Sequence, residues 1–186
     1  MNRRLVGLST LVLALAAVTP AAAQQTLPPI SLDLRGGLSL PVSDFGRSLS
    51  LGYGLGGDVI VGITPSLGVY GGYRYISFDF DKDAVGAEEG SYNVQGFDAG
   101  LRFGAPSLRS AVSPYLRLGG VYYKGAVSGL GEADKQRLGY QLGGGFDYAL
   151  GPRASLTPEL SYTNISYPNR VNMSFVTLDV GLRLHM

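Results

Sequence analysis

Asp79, Asp81 and Asp83 place a carboxylate at every second position, the spacing that opens an EF-hand calcium loop. The rest of that loop departs from the pattern. Position six is Ala84 where the sharp turn needs glycine, and position twelve is Gly90 where a bidentate Glu is needed. The segment reads as a solvated acidic loop, to which Glu88 and Glu89 add charge that would hold a divalent cation beside phosphate groups. His185 is the single histidine. A Ser–His couple needs an acidic group to orient the imidazole, whereas the neighbour on the face of His185 is Arg183, so neither a catalytic nor a metal-binding role is expected of it. There is no cysteine, which removes thiol chemistry, thiolate zinc and disulfides. The residues thus supply no catalytic group, no metal ligand and no cofactor site. What they do supply is a set of eleven charges: Asp33, Arg35, Asp58, Arg74, Asp98, Arg102, Arg117, Asp147, Glu159, Asp179 and Arg183. Six acids stand against five arginines and no lysine. The planar guanidinium pairs carboxylates bidentately, so this composition suits a confined ion-pair network better than a solvated surface.

The elements that carry these charges alternate strictly. In residues 30–40, Ile30, Leu32, Leu34, Leu38 and Leu40 share one parity, and Ser31, Asp33, Arg35 and Ser39 the other. Seven further segments repeat the pattern: 49–61, 67–78, 93–103, 115–125, 138–150, 155–165 and 174–186. Period two over this length means a strand with one apolar and one polar face. Residues 67–78 alternate least cleanly, since both parities carry apolar groups. No helical period appears after residue 24. Pro-containing turns at 63–66 and 151–154 alternate with longer polar connections at 79–90 and 127–137.

Ahead of the strands, Arg3 and Arg4 precede the apolar run 5–18 and the small residues Ala21-Ala22-Ala23. This is a signal peptide with cleavage before Gln24, too short to span a bilayer as a helix. Residues 24–29 form a short lead and 30–186 the folded domain. The chain of 186 residues is 45% hydrophobic with a net charge of +1, which excludes disorder and argues against nucleic-acid binding.

A soluble calyx and a membrane barrel would both alternate in this way. Their faces differ: an arginine held against lipid at the bilayer midplane costs about 2–4 kcal/mol, so in a membrane all five must point inward. Aromatics collect near strand ends, Tyr75, Tyr122, Tyr140 and Tyr162 toward the long loops and Phe103 and Tyr148 toward the short turns. They form the two girdles of a membrane-spanning barrel. The fold expected is therefore all-β, an eight-stranded antiparallel up-and-down transmembrane β-barrel. Glycines on the polar parity (Gly52, Gly54, Gly56, Gly139, Gly143, Gly145) leave room in its narrow lumen.

With this pattern over residues 28–186, the sequence resembles the small outer-membrane barrels of the OmpA-transmembrane, OmpX and opacity-protein kind. The resemblance implies location in the cell outer membrane and a monomer with both termini periplasmic. It also implies four external loops (41–48, 79–90, 127–137, 167–173) and partners drawn from outer-membrane lipid, lipopolysaccharide, periplasmic chaperones and the barrel-assembly machinery. A non-enzymatic structural or surface-interaction role follows, with a narrow small-solute channel and an outer-leaflet lipid-modifying enzyme as alternatives. One feature departs from the family: the chain closes on Arg183-Leu184-His185-Met186 where such barrels carry a terminal aromatic. Replacement Met186→Phe is expected to leave the fold intact and to raise insertion yield, measured as the folded fraction recovered with lipid vesicles.

Overall fold

A computed structural model of the chain describes residues 29–42, 49–80, 90–104, 112–127, 136–166 and 172–186. The expected signal peptide, and Asp81, Asp83, Glu88 and Glu89 of the acidic loop, lie outside these residues. Eight strands follow in order: β1 (Ile30–Pro41), β2 (Leu49–Thr64), β3 (Leu67–Phe80), β4 (Ser91–Phe103), β5 (Val112–Val127), β6 (Arg137–Ala149), β7 (Ala154–Ile165) and β8 (Met173–His185). Each is antiparallel to the next, and β1 pairs with β8, so the sheet closes into a barrel. Closure satisfies every ladder and leaves no free strand edge. At one end, the turn end, Pro65-Ser66 joins β2 to β3 and residues 150–153 join β6 to β7. The chain terminus also sits there, with Met186 N–H donating to the Ile30 carbonyl at 2.9 Å. The opposite, loop end carries the connections 43–48, 81–89, 128–135 and 167–171, outside the described residues.

The strands are longer than their apolar alternation suggests. β2 and β5 reach 16 residues each. At about 3.4 Å per residue and a tilt of about 40° they rise about 40 Å, well beyond an apolar band of about 25 Å. The barrel accordingly has two zones. Nearer the turn end the outward face is apolar, with Leu116 and Phe146 61% and 53% exposed, and the inward face holds the buried charges. A continuous apolar exterior of this kind is soluble only in lipid.

At the loop end the faces exchange character. Along β4, Phe97, Ala99, Leu101 and Phe103 point outward while Asp98 and Arg102 are buried; beyond Gly96 the buried residues are Tyr92 and Val94, and the outward ones are Asn93 and Gln95. Inward-facing residues of β2, β3, β5, β7 and β8 join them, and the result is an apolar cluster of Leu49, Ile76, Phe78, Tyr92, Val94, Val121, Tyr123, Ile165, Met173 and Phe175 inside the barrel. Ile76, Phe78 and Phe175 are completely buried, and the two phenylalanine rings meet edge to face at 5.6 Å. The mixed parity of 67–78 has its explanation here, since Ile76 and Phe78 belong to the inward face of a protruding zone. One sequence assignment is corrected by it. Leu49, which shares the parity of outward Leu51 in the segment 49–61, is buried inside because a bulge between Leu49 and Gly52 shifts the β2 register. Lys124 lies within β5, because that strand continues to Val127.

Replacing Phe175 by Ala removes a fully buried ring from the apolar zone and should lower unfolding stability by about 3–5 kcal/mol. Urea unfolding in detergent, followed by the gel mobility difference between folded and heated protein, measures the loss.

Candidate functional site

All eleven charged residues of the polar parity are buried inside the barrel, and the inward face of every strand supplies at least one. They meet because period two aims alternate side chains at a common axis and closure brings β1 beside β8. Arg183 on β8 bridges Asp33 of β1 at 2.7 Å and Asp147 of β6 at 2.5 Å. Arg102 on β4 reaches the second oxygen of Asp147 at 2.5 Å. Asp33 also faces Arg35 at 3.4 Å, and Arg35 continues to Glu159 of β7 at 3.0 Å and to Asp58 of β2. Arg117 on β5 closes the circuit, contacting Asp58 at 3.1 Å, Asp98 at 3.3 Å and Glu159 at 3.4 Å. Arg74 of β3 pairs separately with Asp179 of β8 at 2.7 Å. The ion pairs thus cross-brace the wall from inside, joining residues as far apart as 150 positions in sequence.

Three tyrosines complete the site and were not singled out from the sequence. The Arg117 guanidinium lies 3.8 Å from the Tyr70 ring centroid, and that of Arg102 lies 3.9 Å from the Tyr115 ring. These are close cation–π contacts in a desolvated setting. The Tyr115 hydroxyl donates to Glu159 at 3.0 Å. Tyr123 is buried at the boundary with the apolar zone. The signal was available: Tyr70 and Tyr115 share the parity of Arg74 and Arg117 on their own strands. Glycine makes the packing possible at two positions. A Cβ at Gly72 would collide with Asp58 Oδ1, and one at Gly37 would stand 2.6 Å from Asp179 Oδ1.

At the turn end His185 accepts or donates two hydrogen bonds, from Nε2 to Ser155 Oγ at 3.0 Å and from Nδ1 to Ser31 Oγ at 3.3 Å. No carboxylate is among its hydrogen-bond partners within the described residues, so the imidazole lacks the acidic orienter that a hydrolytic couple requires. Asp79 lies exposed at the end of β3, away from the lumenal acids.

Of the girdle residues, Tyr75, Tyr122, Tyr140, Phe103 and Tyr148 are exposed on the outward face, and Tyr162 is half-buried. Tyr53, Tyr73 and Phe97 extend the loop-side belt, with Tyr73 and Phe97 in edge-to-face contact at 5.2 Å. The hydroxyls reach the polar exterior of the protruding zone: Tyr73 donates to Gln95 at 2.8 Å, Tyr75 to Asn93 at 2.9 Å and Tyr162 to Ser174 at 3.1 Å. Apolar rings with anchored hydroxyls fit the boundary between hydrocarbon and headgroups.

Residues 9–185 match the model of a family described as outer membrane protein beta-barrel domain. No curated protein matches the sequence. Among solved structures, Neisserial surface protein A superposes with a TM-score of 0.66 at 18% identity, covering 83% of this chain and 96% of that one. The outer membrane protein OprG from Pseudomonas aeruginosa gives 0.58 at 14% identity, covering 84% and 95%. Ail, the attachment invasion locus protein of Yersinia pestis, gives 0.55 at 20% identity, covering 84% and 98%. These likenesses are of fold.

The geometry of Asp147 gives a direct test of the network. Changing Asp147 to Asn leaves Arg102 and Arg183 without their shared carboxylate, and the barrel should lose about 3–5 kcal/mol of stability. Denaturant titration of refolded wild type and variant measures the difference.

Proposed function

Because the chain belongs to the outer membrane protein beta-barrel domain family, we propose that it is a closed, non-enzymatic anchor of the outer membrane that presents its external loops for structural or surface interactions. The observation that carries this reading is the filling of the lumen in both zones. Ion-paired arginines and carboxylates occupy the membrane zone, and above them Ile76, Phe78, Val94, Val121, Ile165 and Phe175 form a buried apolar layer. An ion following the axis would have to displace both. An eight-stranded barrel has just enough interior for side chains, and here those side chains hold one another. Among the described residues the hydrogen bonds of His185 go to Ser31 and Ser155 and not to a carboxylate, which supports a non-enzymatic role.

The turn end, where two residues join β2 to β3 and four join β6 to β7, faces the periplasm, and the loop end faces outward, the arrangement usual for such barrels. The chain reaches the membrane by export with cleavage before Gln24, through periplasmic chaperones and the barrel-assembly machinery. Its partners in the membrane are lipid and lipopolysaccharide, met by the apolar band and, near the headgroups, by Lys124 beside Gln95. Closed ladders offer no strand edge for pairing with a second copy, which supports a monomer.

Single-channel recording of the refolded barrel in a planar bilayer tests this proposal. The expected result is no steady conductance from protein that shows folded gel mobility. A sustained, charge-selective current would replace the anchor with a narrow solute channel.

A further inference from the structure

On the outward face of β3, β4 and β5 two cross-strand rows lie one above the other. The row nearer the turn end is aromatic, with Tyr73, Phe97 and Tyr122 exposed and in register. The row nearer the loop end is Tyr75, Gln95 and Lys124. Lys124 points outward, since Tyr123 and Gly125 on either side of it are buried. Two residues along a strand tilted by about 40° rise about 5 Å, so Lys124 stands just beyond the aromatic belt, at headgroup height. Among the described residues it is the one cation on the outward face of a strand, and it makes no ion pair. It is half-buried, which suits a stem lying along the wall with the ammonium held at the interface.

The neighbours of Lys124 present donors. Tyr73 donates its hydroxyl hydrogen to Gln95 Oε1 at 2.8 Å, which occupies the acceptor end of that amide and leaves the two N–H groups of Nε2 to donate. Among the described residues Nε2 has no partner, and neither has the hydroxyl of Tyr122, which lies on the same face of β5 as Lys124. Tyr75 is already engaged, donating to Asn93 at 2.9 Å. The one acid on this face of the three strands among the described residues is Asp79, four residues beyond Tyr75, and it forms no ion pair with Lys124. We infer that Lys124, Gln95 Nε2 and the Tyr122 hydroxyl form a binding site for the phosphate of a membrane lipid. The ammonium supplies charge and the neutral donors supply direction, the combination that a multi-oxygen anion rewards, and at this height the anion that a bilayer offers is the headgroup phosphate. The site deepens the lipid contacts of the proposed function and rests on that reading of the barrel exterior.

Solid-state NMR of the refolded full chain, 15N-labelled at its lysine side chains, is the test. The probes are vesicles of phosphatidylglycerol, and the same vesicles with added lipid A in its phosphorylated or dephosphorylated form. One lysine Nζ signal should be dephased by lipid 31P and should disappear in Lys124→Met. Dephasing in phosphatidylglycerol alone assigns a phospholipid phosphate; dephasing that needs phosphorylated lipid A assigns a glycolipid phosphate. Gln95→Glu, which places a carboxylate beside the ammonium, should abolish the dephasing. Lipid retention in native mass spectrometry should fall about fivefold in Lys124→Met and return in Lys124→Arg. The inference is overturned if no lysine is dephased, if the dephased signal persists in Lys124→Met, or if Gln95→Glu leaves it unchanged. Gel mobility in the same vesicles separates the two readings. A folded, inserted barrel without dephasing overturns the site and leaves the anchor standing, whereas a barrel that conducts and still shows dephasing overturns the anchor and leaves the site. Failure to insert in any vesicle overturns both.

Discussion

The circuit of arginine–carboxylate contacts inside the barrel is the interaction on which the rest of the molecule depends. In lipid the strands gain nothing from hiding apolar side chains from the bilayer, so the exterior is apolar and the interior must be filled by something else. Charged side chains fill it here, and they do so without stranding any one of them far from an opposite charge. Arg117 touches acids on three other strands, and Asp33 joins the two arginine groups. Breaking one contact exposes the others to the same low dielectric, which is why pairs of this kind are costly to interrupt and need not be individually strong.

The protruding zone follows the opposite rule because its solvent is water. Once the strands leave the hydrocarbon, burying Ile76, Phe78 and Phe175 becomes favourable, and Gln95, Asn93 and Lys124 take the outward positions. One backbone thus carries an inverted membrane protein and a conventional soluble core stacked along one axis. The tyrosine belt lies where they meet, with hydroxyls bonded upward to the polar exterior. The apolar zone also stands between the charged network and the loop end, so the same device that stabilises the protrusion shields the ion pairs from external water.

This stacking bears on function. The proposed role as a closed anchor draws on it: with the lumen filled, that reading assigns any recognition of a partner to the connections, in keeping with the general placement of binding residues on loops carried by a stiff scaffold. His185, the one residue whose type invites a catalytic reading, is held between two serines at the turn end, where it caps the charged layer.

Much of this was legible in the sequence, because both the strand and the barrel are governed by a period of two. Alternation located all eight strands and put the eleven charged residues on one parity, and the structure buries all of them; the aromatic groups were read from strand ends. The sequence could not reveal which arginine meets which acid, since Arg183 and Asp33 are joined by closure of the sheet and not by local spacing. It also did not disclose the change of faces near Gly96, nor the bulge that turns Leu49 inward. Alternation says only that two faces differ. Which face is buried, and in what solvent, depends on the height of each residue along the barrel axis, and that height is fixed by register, tilt and closure acting on all eight strands together.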